Sequence, residues 1–208
     1  MNVTVIGTGN MARAVATRAL AGGHHVTLIG THLSKAVDLA DELTGEGPVR
    51  SSEEVDGDLV VLAVPFTHAP HAVRQHSSEL AGRVVVDVTN PVDLSVLEPL
   101  DVAPFSSGAE LIAAVVPADT AVAKAFNTTF AGTLMTGAVA GRPLDVFLAG
   151  DDADAKAAVA AFAEDGGLRP IDAGALARAR ELEALGYLHM AVQPALGTAF
   201  GSAMAVLS

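Results

Sequence analysis

The sequence has no cysteine and only three lysines among its 208 residues. The first absence excludes disulfides, thiolate metal sites and cysteine nucleophiles. It agrees with a reducing compartment, and a cytoplasmic location is expected. With nine arginines, the basic residues total 12 against 24 acidic ones, a formal net charge of -12. A chain that acidic repels DNA, RNA and anionic membranes, and no basic stretch interleaved with aromatics offsets the field. Neither nucleic acid nor membrane is therefore an expected partner. Any anionic ligand must be held by a local device.

Several catalytic signatures are also missing. There is no GxSxG, and Ser106 and Ser107 have no evident base. His68, His71 and His76 share one helical stretch, but no HExxH or carboxylate set accompanies them. They read as solvated helix residues, and no metal site is expected. No charged segment followed by an apolar stretch opens the chain, so no signal peptide is expected. The stretch 186–208 is long enough to span a bilayer, but it contains His189, Gln193, Pro194 and three glycines. It is expected to lie in the core or against a second subunit.

What is abundant is apolar. Half of the residues are hydrophobic and 40 are alanine, which favours helix. Apolar runs at Val3–Ile6, Val26–Ile29, Leu59–Val64, Val84–Val88, Ala121–Phe126, Leu144–Leu148 and Leu168–Ile171 read as strands. Helical patterns separate them at Met11–Leu20, Lys35–Leu43, about 70–80, Ala109–Val116 and Ala153–Glu164, and another follows at Ala175–Leu185. Continuous rather than alternating apolar runs mark strands covered on both faces. The expected fold is α/β, a doubly wound parallel sheet of Rossmann type with a small helical C-terminal extension. One domain is expected over residues 1–208, with 175–208 as a helical, apolar segment. Gly132, Gly137 and Gly141 mark either a flexible loop or a turn needing positive backbone angles.

The opening VTVIGTGNMARA places Gly7, Gly9 and Ala12 at the spacing of the dinucleotide fingerprint, between a strand and a helix. Gly7 permits the sharp turn, Gly9 lets backbone approach a pyrophosphate, and Ala12 lets the helix pack closely. Free backbone N–H groups and the helix dipole then hold the anion despite the acidic net charge. About 20 residues on, where an NAD site carries Asp or Glu, this chain has Gly30-Thr31-His32 followed by Ser34 and Lys35. A carboxylate there would repel a 2′-phosphate; Thr31, Ser34, His32 and Lys35 would attract one, which favours NADP(H). The plainer alternative makes Lys35 a solvated helix residue and His32 a loop residue.

Ligands of open parallel sheets bind at the carboxyl ends of strands. Those ends read VPFTH, VTNP and KAFNTTF. They supply amides, hydroxyls and flat apolar surface, and no catalytic acid–base pair. Such a site suits hydride transfer, in which the cofactor carries the chemistry and the protein aligns two carbon centres.

Taken together, VIGTGNMA, LIGTH, AVPF, VVDVTNP, AKAFNT, FLAGDDADAKAAV and LRPIDAGALARARELEALGYLHM resemble the NADPH-dependent coenzyme F420 reductases, in order and over nearly the whole chain. That family is similar in turn to the oxidoreductase domain of transmembrane ferric reductases, which use NADPH and flavin; no membrane domain is expected here. The resemblance implies reversible hydride transfer between NADP(H) and the deazaflavin coenzyme F420, with no side chain acting as acid or base. It implies that Thr8, Gly9, Asn10 and Met11 contact the pyrophosphate region, with Gly7 at the turn. Thr31, His32 and Lys35 would hold the 2′-phosphate, and Pro65 would lie near the nicotinamide. Asn90, Pro91, Asn127, Thr129 and Ala131 would line the space where the two rings stack. A homodimer with 175–208 at the subunit contact is implied as well. His32 stands where relatives often carry arginine, which implies softer or pH-dependent NADP selectivity. Asn127 stands where some archaeal members carry histidine. Two other readings stay open: an NADPH-dependent reductase of another flavin, a quinone or a small carbonyl or imine, and a non-catalytic NADP-binding protein.

Overall fold

The computed structural model describes residues 1–93, 95–102 and 104–207. Strand β1 (Asn2–Ile6) turns through Gly7 into helix α1 (Asn10–Ala21), and the chain returns as β2 (His25–Ile29), parallel to β1 with Val3 opposite Val26. Helix α2 (Leu33–Leu43) and the short β3 (Val49–Ser51) extend the sheet outward beyond β2. The chain then crosses to the other side of β1 as β4 (Leu59–Leu62), again parallel. It continues through α3 (Ala69–Gln75), α4 (Ser77–Leu80) and β5 (Val84–Asp87). An antiparallel hairpin, β6 (Val92–Asp93) and β7 (Glu98–Pro99), precedes α5 (Gly108–Ala113) and β8 (Ala121–Lys124). Helix α6 (Ala131–Thr136) and a second hairpin, β9 (Ala138–Val139) with β10 (Arg142–Pro143), lead to β11 (Asp145–Gly150). The chain ends in α7 (Ala153–Asp165), β12 (Arg169–Gly174), α8 (Ala179–Ala191) and α9 (Gln193–Leu196). Among the described residues the main sheet has eight strands in the order β12-β11-β8-β5-β4-β1-β2-β3.

This is the doubly wound α/β sheet that the apolar runs require, with helices on both faces. Residues of β4 alternate between two cores. Leu59 and Val61 join Val15 and Ala19 of α1, Leu39 of α2 and Phe162 of α7. Val60 and Leu62 join Val73 of α3, Ile112 of α5, and Leu176 and Ala179 at the start of the C-terminal helical segment. Helix α1 meets the sheet through Ala12, Ala16 and Ala19, all fully buried, so its backbone lies close to β1.

Three features differ from the sequence expectation, and two more bear on alternatives it left open. The edge strand β3 (Val49–Ser51) forms where the sequence has no apolar run. The sheet is not parallel throughout: β11 runs antiparallel to β8, with Ala149 opposite Lys124. The reason is the connection. The chain leaves β8 at the carboxyl edge and re-enters the sheet from that same edge, so β11 must run back. The helix expected at 70–80 breaks at buried His76, whose Nδ1 lies 3.0 Å from Glu79 Oε1. His76 is therefore not solvated. The glycine-marked stretch is an ordered helix and hairpin, in which Gly137 (φ 76°) and Gly141 (φ 75°) supply the positive angles. Finally, α8 buries Leu182, Gly186, His189 and Met190, but the tail beyond it is not core: Leu196, Phe200 and Leu207 are exposed. Ser208 lies outside the described residues.

Candidate active site

Strands β2, β1, β4, β5 and β8 are parallel neighbours, so their carboxyl ends share one edge. Along that edge come Thr31 after β2, Gly7–Gly9 after β1, Pro65 after β4, Asn90 after β5 and Asn127 after β8. The chain reverses its direction of winding at β1, between β2 and β4. That is the switch point at which an open sheet leaves a crevice.

On one side of the edge lies a cleft of about 430 Å³ lined by Gly7, Thr8, Gly9, Gly30, Thr31, Pro65, His68 and His71, among others. Its floor is set by Gly7. The Gly7 N–H donates to the Ile29 carbonyl at 2.8 Å, and φ is +135°, a conformation that L side chains rarely adopt. A Cβ there would overlap the carbonyl oxygen of Ala63. Gly9 is glycine for a different reason. Its backbone (φ −85°, ψ −173°) suits any residue, and a Cβ would meet nothing within 4 Å. The space in front of the N-terminus of α1 is open, and a side chain at Gly9 would fill it. The first turns of α1 and α2 contain no acidic residue, although the chain carries twice as many acids as bases. Bare amides, an open approach and the absence of carboxylates fit the pyrophosphate of a dinucleotide.

The sequence-predicted cofactor residues fall into two groups. Gly7, Thr8, Gly9, Thr31 and Pro65 line the cleft together. Asn10 and Met11 open α1; Asn10 is exposed, while Met11 is half-buried against the core. His32 is the N-cap of α2, and Lys35 lies in its first turn; both are exposed. His68 and His71, read from sequence as solvated, face the same cleft from the β4–α3 side. A separate hollow of about 290 Å³ lies between Asn2, Val26, Arg50 and Asp56, at the opposite end of the strands, and holds no constellation suited to group transfer. Among the described residues no three His, Asp or Glu side chains are placed to share a metal ion.

At the other end of the edge the chemistry is carried by buried and half-buried side chains. Asn90 Nδ2 donates to the Asn127 carbonyl at 2.8 Å, and Asn127 Nδ2 donates to Asn90 Oδ1 at 2.9 Å and to the Leu182 carbonyl at 2.9 Å. The two asparagines thus form a reciprocal pair that fixes both amide orientations. Pro91 beside them is buried. Thr129 turns its hydroxyl back onto the Phe126 carbonyl at 2.7 Å, and Ala131 opens α6. Phe126 holds a left-handed φ of 63° while fully buried, a strained conformation for a non-glycine residue. Three buried side-chain atoms of these loops, Thr89 Oγ1, Asn127 Oδ1 and Thr128 Oγ1, have no hydrogen-bond partner among the described residues.

Beneath the pair lies an ionic cluster. Lys124 is fully buried, and its ammonium donates to Asp87 Oδ2 at 2.8 Å, to the Thr89 carbonyl at 2.6 Å and to Glu183 Oε1 at 2.8 Å. All three of its N–H bonds are thereby used. The second negative charge meets backbone donors: Gly108 N–H gives to Glu183 Oε2 at 2.9 Å and Ala109 N–H to Oε1 at 3.2 Å, at the N-terminus of α5. The remaining oxygen of Asp87 accepts from Thr89 N–H at 2.9 Å. One turn further along α8, Gly186 presses on the asparagine pair. A Cβ there would lie 2.9 Å from the Asn127 carbonyl oxygen and 2.9 Å from Asn90 Oδ1.

Sequence reasoning gives no role to Lys124, Asp87, Glu183 or Gly186. One signal points to the first two: a charge inside an apolar run that is to be buried on both faces must be paired. Nothing in the sequence names Glu183 as a partner of Lys124, because 59 residues separate them.

Residues 2–91 match the family model described as NADP oxidoreductase, coenzyme F420-dependent. The chain is 33% identical over 184 residues to the metalloreductase STEAP3 of Rattus norvegicus, covering 88% of this chain and 36% of that protein. It is 29% identical over 136 residues to the F420-dependent NADP reductase of Methanocaldococcus jannaschii, covering 62% of this chain and 59% of that one. The chain therefore spans little more than a third of the first of these curated relatives and about three fifths of the second. Among solved structures, that of a candidate F420-dependent NADP reductase from Arthrobacter sp. FB24 superposes with a TM-score of 0.83 at 30% identity over 99% of both chains. By sequence and by fold, end to end, the chain belongs to the coenzyme F420-dependent NADP oxidoreductase family.

Proposed function

We propose that this protein transfers a hydride between NADP(H) and the deazaflavin coenzyme F420. The observation that carries the reading is the pairing of an open, acid-free glycine cradle at Gly7–Gly9 with the Asn90–Asn127 pair farther along the same sheet edge. NADPH, when bound, supplies a hydride that the deazaflavin ring takes up together with a proton from solvent. The chain's own work is to hold and exclude. Gly9 and the amides of α1 hold the pyrophosphate, with Thr8, Asn10 and Met11 beside it. Thr31, His32 and Lys35 hold the 2′-phosphate, and Pro65 backs the nicotinamide ribose. Asn90, Pro91, Asn127, Thr129 and Ala131 wall the space above the ring. No acid or base is required of them, which accords with a pocket rich in amides and hydroxyls.

The 33% identity to a metalloreductase supports a second reading, in which NADPH reduces another flavin. Mixing the protein with NADPH and either F420 or FMN, and following both absorbances, separates the two. Oxidation of NADPH matched by bleaching of F420 alone supports the first reading. FMN-dependent oxidation alone overturns it in favour of the second, and tight NADPH binding without turnover on either ring overturns both.

A homodimer completes the proposal. Leu188, Leu196, Phe200 and Leu207 of the segment 175–208 are exposed apolar side chains, which suits contact with a second copy of the chain. No helix among the described residues is long and apolar enough to cross a membrane. Sedimentation at micromolar concentration tests the dimer, and a monomer there would remove it.

A further inference from the structure

We infer that Lys124, Glu183 and Gly186 are positioning residues for the hydride acceptor: through them helix α8 sets the height and tilt of the Asn90–Asn127 pair. The inference rests on the proposed function. Three observations carry it. First, the cluster of Lys124, Asp87 and Glu183 is a costly way to hold a fold together. A buried ionic group is often no more stabilising than apolar packing of the same volume, so its placement directly under the two loops of the site points to a geometric duty. Second, the cluster touches both loops at their roots. Asp87 and Thr89 precede Asn90, and Lys124 is followed by the strained Phe126 and then Asn127. Strain at Phe126 persists only if the surroundings over-determine it, and the Lys124 anchor is part of that restraint. Third, α8 reaches the site in three ways within five residues. The Leu182 carbonyl takes the Asn127 amide, the Glu183 carboxylate takes Lys124, and bare Gly186 lets the helix axis come close to both asparagines.

Helix α8 is thus the back wall of the acceptor site. It is also bound to α5, where Arg180 forms a two-pronged ion pair with Glu110 at 2.9 and 2.5 Å. A shift of α8 would move the asparagine pair without disturbing Gly7–Gly9, which lies on other elements.

Two variants test this, each assayed in the full-length protein. Glu183→Gln keeps the shape and removes one charge of the cluster. Gly186→Ala keeps every charge and pushes on the Asn90–Asn127 pair. NADPH affinity is read by fluorescence titration, F420 affinity by its own fluorescence in the presence of NADP+, and hydride transfer by single-turnover absorbance. Expected for both is NADPH affinity within twofold of the parent, F420 affinity lowered about tenfold, and a transfer rate lowered roughly 10- to 100-fold, since small misplacements of reacting centres are that costly. The split between an unchanged NADPH KM and a raised acceptor KM is what a generally loosened structure does not give. If Glu183→Gln does not fold, Gly186→Ala decides alone. Folded variants that match the parent in acceptor KM and transfer rate overturn the inference. A parent that uses only FMN overturns the F420 reading, and the same comparison is then made with FMN. A parent that reduces neither ring overturns the proposed function and this inference together.

Discussion

The two halves of the proposed site, one for the cofactor and one for the acceptor, are built on opposite principles. The cofactor half is open and made of backbone. Its proposed determinants lie within residues 7–35, plus Pro65, and apart from half-buried Met11 its side chains are small, exposed or both. The acceptor half is made of side chains that are buried or half-buried. Asn90 and Asn127 are 37 residues apart, as are Asp87 and Lys124, and Asn127 and Lys124 bond directly to α8 at Leu182 and Glu183. An anion can be held by main-chain amides whatever the neighbouring residues are, provided the turn is tight and nothing blocks the approach. A flat ring offers no charge to grip at its face, so its platform must be fixed from behind.

That contrast is broken most severely at Gly7. Gly7→Ala puts a Cβ into the Ala63 carbonyl oxygen and forces φ +135° on a residue that rarely adopts it. The expected cost is about 3 kcal/mol or more, enough to disturb β1, β2 and β4 together and abolish NADPH binding. Urea unfolding checks this, and a loss below about 1 kcal/mol would show that the turn relaxes easily. Gly9→Val is the sharper instrument. Its Cβ meets nothing, so the fold and melting temperature should be unchanged while NADPH affinity falls about 100-fold, ~2.7 kcal/mol. Unaltered affinity would mean that the pyrophosphate does not sit at the start of α1.

The same contrast explains what the sequence reveals. The cofactor half is legible because each requirement acts over a few residues: a turn at Gly7, a missing side chain at Gly9, a small one at Ala12, no acid near Thr31. Seven of the eight sheet strands are legible for a similar reason, since a strand covered on both faces must be apolar at every position, as Leu59–Leu62 are; the short edge strand β3 (Val49–Ser51), only partly covered, carries no such run. The reversal of β11 is not legible, because it depends on which edge the chain re-enters after β10. The acceptor half is only half legible. Asn90 and Asn127 can be named by resemblance, but their mutual hydrogen bonds, and the dependence of both on Glu183 and Gly186, follow from packing between segments far apart in the chain.

The specificity of the cofactor half can be broken without touching its affinity for pyrophosphate. Lys35 is exposed in the first turn of α2, one helix away from the glycine cradle. Lys35→Glu should raise the NADPH KM about 10-fold, ~1.4 kcal/mol, while the NADH KM changes little, because only the 2′-phosphate meets the reversed charge. Equal effects on both nucleotides would remove Lys35 from the 2′-phosphate site. The acceptor half should be indifferent to this change, so the single-turnover rate at saturating NADPH stays at the parent value.

The smallest effect expected is a pH dependence of stability that belongs to the acceptor half. His189 of α8 is buried; its Nδ1 donates to the Thr128 carbonyl at 3.1 Å, and its Nε2 accepts from the Ser202 hydroxyl at 2.8 Å. Its ring stacks on Phe130 at 4.2 Å, and Phe130 also meets Phe200 of the tail edge-on. Burial holds the imidazole below its ordinary value, with the Thr128 carbonyl pulling weakly the other way. The neutral ring is thus the folded form. Because the folded pKa lies below that of the unfolded chain, its contribution to stability is complete above about pH 6.5 and is lost as pH falls through the folded value. Protonation also removes the acceptor at Nε2 that Ser202 requires, so the tail should loosen first. His24 is shifted the same way, chiefly by burial, and lies 3.5 Å from Asp165 at the far end of α1. It will add its own acid sensitivity. The parent's melting temperature should therefore fall by a few degrees between pH 7.5 and 5.5, and His189→Gln should lower it at pH 7.5 but flatten the decline, leaving the part due to His24. Proteolytic cutting within 197–207 should rise in acid for the parent and be high at both pH values for the variant. A variant whose melting profile runs parallel to that of the parent would assign the whole acid response to His24, and the acceptor half would then be as insensitive to mild acid as its amide-rich wall suggests.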